Sequence, residues 1–259
     1  MTDTPTPDAG GERLAKRVAA LLACSRSQAE HYIEGGWVRV DGQVVQEPQF
    51  RVTLQQVALD PQASLQPLAP VTLVLHKPPD WPDGCGPAAA PVGQAPDVHT
   101  LLQAAYHTAH DRSGVRVLQR HFRQLDAAVP LETGASGLLV FSQDWRVLRK
   151  LRDDLALMEH ELIAEVQGSV SEAAMQSLRL ARDTRGQALP AAKVSLNSST
   201  PGLSKLRFAI KGAHPGLVAY LCERAHLQLL ALRRIRLGRV ALRDLPQGQW
   251  RYLGAGERF

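Results

Sequence analysis

Residues 131–144 read LETGASGLLVFSQD. Glu132 sits in a Thr/Gly turn, Ser136-Gly137 follows, and Leu138-Leu139-Val140-Phe141 is an unbroken apolar run. Turn residues ahead of a short apolar run predict a buried strand, and so a loop that carries one acid into a cleft while the core anchors it. Working outward, Val71–Leu75 predicts a second buried strand, followed by Lys77-Pro78-Pro79, and the Pro, Gly and Ala residues of 80–98 predict a long loop. A helix is expected near Thr100–His110, with Thr100 as its cap and His107, His110 and Asp111 on a helix surface. A second helix is expected over Asp144–Asp154, a strand over Leu162–Val166, a helix starting at Ser171 and another over Leu217–Glu223. The pattern is weak from 183 to 205. The chain closes with Leu229–Leu232, then the strand-like Arg233-Arg234-Ile235-Arg236-Leu237-Gly238, then Val240–Leu242, and finally Pro246-Gln247-Gly248-Gln249-Trp250-Arg251. Strands and helices mix without regular alternation. That argues for an α+β fold with a mixed, largely antiparallel sheet.

The first sixty residues read as a separate module. Leu14, Val18, Leu21 and Leu22, then Ala29, Tyr32 and Ile33, keep helical spacing on two short helices. Ser25 stands between them as an N-cap, with Gln28 at the capping-box position. Gly35-Gly36 ends the second helix, and WVRVDGQVV alternates about Asp41-Gly42, a two-residue hairpin signal. The expected organisation is a disordered leader over 1–11, the helix–helix–hairpin module over 12–60, a linker over 61–70 and a larger domain over 71–259.

Composition narrows the class. The chain has 259 residues, 44% of them hydrophobic but only 5% aromatic, and a net charge of +5. The charge is uneven: residues 201–259 hold 11 Lys/Arg against 3 Asp/Glu, whereas residues 1–60 hold 6 against 8. A basic balance suits a polyanionic partner. Three widely spaced cysteines, Cys24, Cys85 and Cys222, suggest a reducing compartment rather than a disulfide framework. No apolar run reaches about 18 residues, so no membrane helix is expected, and the polar start lacks the features of a signal peptide. The expectation is a cytoplasmic monomer. The nine histidines show no zinc spacing, so no metal is expected.

Two resemblances sharpen this reading. Arg13-Leu14 with Lys16, Ser25-Arg26 with Ala29, and Gly36-Trp37-Val38-Arg39-Val40-Asp41-Gly42 resemble the RNA-binding domain named after a small-subunit ribosomal protein. On that resemblance Arg13, Lys16, Arg17, Ser25 and Arg26 are candidate RNA contacts. Leu75-His76-Lys77-Pro78, Ser136-Gly137-Leu138-Leu139, Glu165-Val166-Gln167-Gly168, Arg233–Gly238 and Leu245–Arg251 resemble the RNA pseudouridine synthases, particularly the ribosomal (RsuA-type) branch. That family isomerises a uridine in ribosomal RNA to pseudouridine, without cofactor or metal, on a base taken out of its stack. The implied partner is RNA, ribosomal RNA in particular. Lys77, Arg234 and Arg236 are further candidate RNA contacts. In a strand Arg234 and Arg236 share a face, expected to look into the RNA cleft.

The family's catalytic segment reads Gly-Arg-Leu-Asp-Lys-Asp-Thr-Ser-Gly-Leu, and its first Asp does the chemistry. Glu132 falls on that Asp, Pro130 on the arginine, Thr133 and Gly134 on the lysine and second Asp, and Leu162 on the tyrosine that stacks on the base. The candidate site is therefore Glu132 as nucleophile, with Pro130, Ser136, Gly137 and Leu162 around it. A glutamate reaches about 1.5 Å farther than an aspartate, and misplacement by about 1 Å can cost about a hundredfold. The family's Arg-rich helix falls on Gly212–Tyr220, where every arginine is gone. Three roles stay open for Glu132: working catalyst, RNA-contacting acid and solvated loop acid. The chain is either a synthase-like isomerase impaired at this position or a catalytically silent RNA-binding protein of ribosomal RNA maturation or ribosome assembly. A second alignment would place Asp126 of Gln124-Leu125-Asp126 in the acid's role.

Overall fold

The computed structural model describes residues 10–85, 97–132, 134–180, 182 and 185–259. The proposed leader lies outside these residues as far as residue 9, as do Thr133 and most of the long loop expected over 80–98. The chain forms two compact units, Met1–Pro70 with Arg116–Arg123, and Val71–Val115 with Gln124–Phe259. Residues 116–123, which the sequence places in the larger domain, thus pack with the smaller unit.

In the smaller unit, β1 (Glu12–Arg13) leads into α1 (Leu14–Leu21), α2 (Arg26–Glu34), β2 (Val38–Val40), β3 (Gln43–Val44), β4 (Arg51–Val52) and β5 (Val57–Leu59). Ser25 Oγ accepts the Gln28 N–H at 3.2 Å, and Gln28 Oε1 accepts the Ser25 N–H at 3.0 Å. Both halves of the capping box are present. Asp41 and Gly42 hold φ of 48° and 82° between β2 and β3, the left-handed pair that a two-residue hairpin turn requires. Leu14, Val18, Ala29, Ile33, Val38, Val40 and Val52 close the core. Gly11, read as leader, is buried with its carbonyl accepting Arg51 Nη1 at 2.7 Å.

The larger unit is built on nine strands: β6 (Thr72–Lys77), β7 (Asp126–Ala128), β8 (Ala135–Ser142), β9 (Glu159–Gln167), β10 (Ala192–Ser199), β11 (Leu203–Lys211), β12 (Leu229–Leu237), β13 (Val240–Ala241) and β14 (Trp250–Tyr252). Their order is β10-β11-β9-β12-β8-β6-β14, with β13 on β12 and β7 on β8. Among the described strands only β12 with β8 is parallel. The fold is α+β with a mixed, largely antiparallel sheet. Among the described residues three α-helices accompany the sheet: α3 (Trp145–Asp153), α4 (Glu172–Leu178) and α5 (Leu217–Arg224). Asp144 and Ser171 cap the first two with their side chains. Strand β8 is buried at nearly every position and lies between β6 and β12.

The helix expected over Thr100–His110 does not form. Two single-turn 3₁₀ segments stand there, Val98–Leu101 capped by Asp97, and Ala104–Tyr106. The His107 ring instead packs 4.5 Å from Trp250, and its Nε2 pairs with Asp111 Oδ2 at 2.8 Å. No cluster of metal-ligating side chains exists among the described residues, and no helix there is long and apolar enough to cross a membrane.

Gly137 decides the centre of the sheet. It pairs with Arg234 across the parallel β8–β12 contact and holds φ of 114°. A Cβ there would lie about 2.3 Å from the Arg234 carbonyl oxygen and 2.6 Å from its nitrogen, inside any real contact. Gly137→Ala is expected to destabilise the protein by more than about 2 kcal/mol, read as a lowered urea midpoint. An unchanged midpoint would show that the strands do not approach this closely.

Candidate functional site

The loop ahead of β8 carries the acid. Arg234, in β12, crosses beneath this loop and is 1% exposed. Its Nε donates to the Leu138 carbonyl at 2.8 Å, Nη1 to Pro130 at 2.8 Å and Nη2 to Val129 at 3.1 Å. From the other side Asp83 Oδ2 accepts the Leu131 N–H at 2.8 Å. Lys77 is fully buried at the end of β6, opposite Gly137, and donates to Pro78 and Trp81 carbonyls at 3.0 and 2.6 Å. Burial lowers its pKa to about 8, with Asp83 opposing and Arg234 adding to the drop. Burial also lowers Arg234 to about 10, so it remains charged at neutral pH.

Two of the expected RNA contacts in this unit are therefore corrected. Lys77 and Arg234 are inside the protein and hold carbonyl oxygens. Arg236 does not share a face with Arg234, because the pairing of β12 with β9 is irregular between them. The Arg236 guanidinium, still partly exposed, is bound by Glu159 and Glu161. In the smaller unit Arg17 is turned onto Glu12 and the Thr53 carbonyl, and the Ser25 hydroxyl serves the capping box. Arg13, Lys16 and Arg26 are exposed, although Arg26 holds Glu30 at 2.8 Å.

Glu132 lies at the mouth of a small cleft with Pro130, Leu162, His160, Ile210, His214 and Val218. Its Oε2 accepts the backbone N–H of Gly216 at 3.0 Å. Gly216 is the N-cap of α5, so the carboxylate sits where the free N–H groups and dipole of a helix favour negative charge. The cleft measures about 30 Å³, room for roughly one water and far below the ~300 Å³ of a small-molecule site. Ser136 Oγ donates to the Leu232 carbonyl at 3.4 Å. Asp126 pairs with Ser142 at the far end of β8, about 20 Å along the strand from the Glu132 end, so it does not share this cleft.

Sequence reasoning missed three participants. His160, in β9, is 3% exposed, and its Nε2 has no hydrogen-bond partner among the described residues. Burial first, then Arg234 and His214, lower its pKa to about 3. Gly216 acts through its backbone, for which a sequence offers only the glycine itself. Asp83 lies in the Pro/Gly-rich stretch, where its role depends on tertiary contact.

Residues 12–57 match the S4 domain. The chain is 24% identical over 246 residues, 93% of its own length and 92% of the relative's, to a protein of Aquifex aeolicus (strain VF5) described as an uncharacterized RNA pseudouridine synthase. A crystal structure of a pseudouridylate synthase superposes with a TM-score of 0.54 at 17% identity, covering 93% of this chain and 96% of that one. The chain thus has the pseudouridine synthase fold. The S4 match precedes the strands and helices that carry this fold.

Two outcomes follow from the site. Arg234→Met would leave three carbonyls, two of them buried, without their donor, and a loss of about 3 kcal/mol or more is expected in denaturant unfolding. The imidazole of His160 refuses the proton that the unfolded chain accepts below about pH 6.5. Its contribution to stability is therefore complete above that pH and is lost as pH falls toward 3. By pH 5 the loss is up to about 2 kcal/mol, and His160→Phe should flatten the decline in urea midpoint between pH 7 and 5. An unaltered decline would place the acid sensitivity elsewhere.

Proposed function

We propose that this chain is an RNA-binding protein of pseudouridine synthase build that acts on ribosomal RNA without isomerising uridine. The single observation that carries this reading is the bond from Gly216 N–H to Glu132 Oε2 at 3.0 Å. A nucleophile must present a free, aimed oxygen to its substrate. This carboxylate instead turns Oε2 onto the start of a helix, over a cleft of about 30 Å³ that is too small for a base. Around it Pro130 supplies no cationic partner and Leu162 no aromatic ring. The arginine nearest the loop backbone, Arg234, is committed to three carbonyls.

The RNA-binding half of the proposal is supported by the S4 match and by Arg13, Lys16 and Arg26, which stand exposed on that module. Neutralised phosphates provide most of such affinity and make it salt-dependent. The three free cysteines fit a reducing, cytoplasmic setting. A residual isomerase is the second reading, favoured by the retention of an acid at the cleft mouth beside buried His160 and Leu162.

Mass-spectrometric mapping of ribosomal RNA from cells with and without this gene separates the two. Identical pseudouridine maps are expected, together with retention of ribosomal RNA fragments by the purified protein. A uridine modified only when the gene is intact, and no longer modified in Glu132→Gln, would replace this proposal with the isomerase.

A further inference from the structure

We propose that the RNA-docking surface of the smaller unit is composite. Arg123, delivered by the 116–123 strap, acts with Arg13 and Arg26 on one nucleotide of a bound RNA strand, while Glu34 and Glu47 receive its ribose hydroxyl. This inference rests on the RNA-binding reading above and adds to the S4 match, which ends at residue 57, one residue from beyond it, Arg123, and a ligand chemistry.

Charge is the first argument. Residues 10–70 contain six Lys/Arg and six Asp/Glu, a net of zero, whereas residues 116–123, RVLQRHFR, add three arginines and no acid. The smaller unit over residues 10–70 and 116–123 therefore carries +3, all of it from the strap. A module that is neutral by itself has little attraction for a polyanion, and the strap supplies it.

Geometry is the second. The strap is fastened along its length. The Arg116 guanidinium lies 4.0 Å from the Trp37 ring centroid, and its Nη1 donates to the Gly36 carbonyl at 3.1 Å. The Leu118 side chain is 4% exposed, and the Gln119 N–H donates to Gln46 Oε1 at 2.7 Å. Arg123 is thereby brought to a cleft of about 340 Å³ that it lines with Arg13, Arg26, Glu30, Glu34 and Glu47. That volume is at the lower end of small-ligand sites, the size of one nucleotide. Guanidiniums suit the flat, forked recognition of a phosphate. The carboxylates suit a donor, and the 2′-hydroxyl is the donor that RNA has and DNA lacks. Arg26 also holds Glu30 at 2.8 Å.

The test uses the full chain with a structured ribosomal RNA fragment and DNA of the same sequence, each titrated over a range of salt. The wild type is expected to bind RNA more tightly than DNA. Arg123→Gln, which keeps most of the aliphatic stem, should weaken RNA binding severalfold and reduce the salt slope by roughly 0.7 to 0.9. Arg123→Lys should keep the slope, and Glu47→Gln should narrow the RNA-to-DNA ratio. An RNA-binding wild type whose slope is unchanged by Arg123→Gln overturns the composite surface and leaves the RNA reading standing. Equal affinity for RNA and DNA overturns the part given to the carboxylates. A wild type that binds no RNA at low salt removes the RNA reading and this inference with it.

Discussion

A buried guanidinium organises the larger unit. Taking Arg234 out of water is costly, and its lowered pKa reflects that cost. Three carbonyl oxygens, from β8 and from the loop ahead of it, repay part of the desolvation. The bonds form only because Gly137 lets β8 lie against the backbone of Arg234, at the parallel seam of a sheet that is otherwise antiparallel between its strands. The loop is constrained in turn. Val129 holds φ of 65°, an unfavourable conformation for a β-branched residue, and such strain persists only where the surroundings over-determine it. Arg234 on its carbonyl and Asp83 two residues on provide that determination.

With the loop held so firmly, the side chain at 132 has little choice of direction. It meets the start of α5, where any acceptor of suitable reach is stabilising. An aspartate would end one methylene earlier. The longer side chain reaches the N–H of Gly216, which caps the helix. The negative charge at 132 is met by a backbone N–H. Scaffold positions and chemical positions thus answer to different constraints. Gly137 must be glycine for the sheet to close, whereas Pro130 and Leu162 line the cleft by their side chains.

The parts of the fold governed by neighbouring residues were legible in the sequence. The Ser25–Gln28 box, the Asp41-Gly42 turn and the apolar run of β8 each carry a local signal, and each stands where the sequence puts it. Strand β11 was missed although Leu206, Phe208 and Ile210 alternate inward, because its first residues sit in a polar stretch that reads as featureless. The segment after Thr100 misled: its histidine spacing suits a helix, but His107 is drawn instead to Trp250 and Asp111. Lys77 and Arg234 misled more deeply. Charge argues for the surface, and only the packed structure shows carbonyl groups waiting for them. The irregularity between Arg234 and Arg236 also breaks the two-residue period on which their shared face depended.

The smaller unit is discontinuous along the chain, and this sets an order for its assembly. Its two helices and hairpin are complete by Leu59, but the strap that covers Gly36 and Trp37 is made some sixty residues later. At about 5–20 residues per second of synthesis, Trp37 and Gly36 wait several seconds for Arg116 and Leu118. During that interval an indole and an unpaired carbonyl are open to whatever else the nascent chain meets. Maturation of this module is therefore timed by the ribosome itself, through the distance in sequence between a ring and the cation that comes to rest on it.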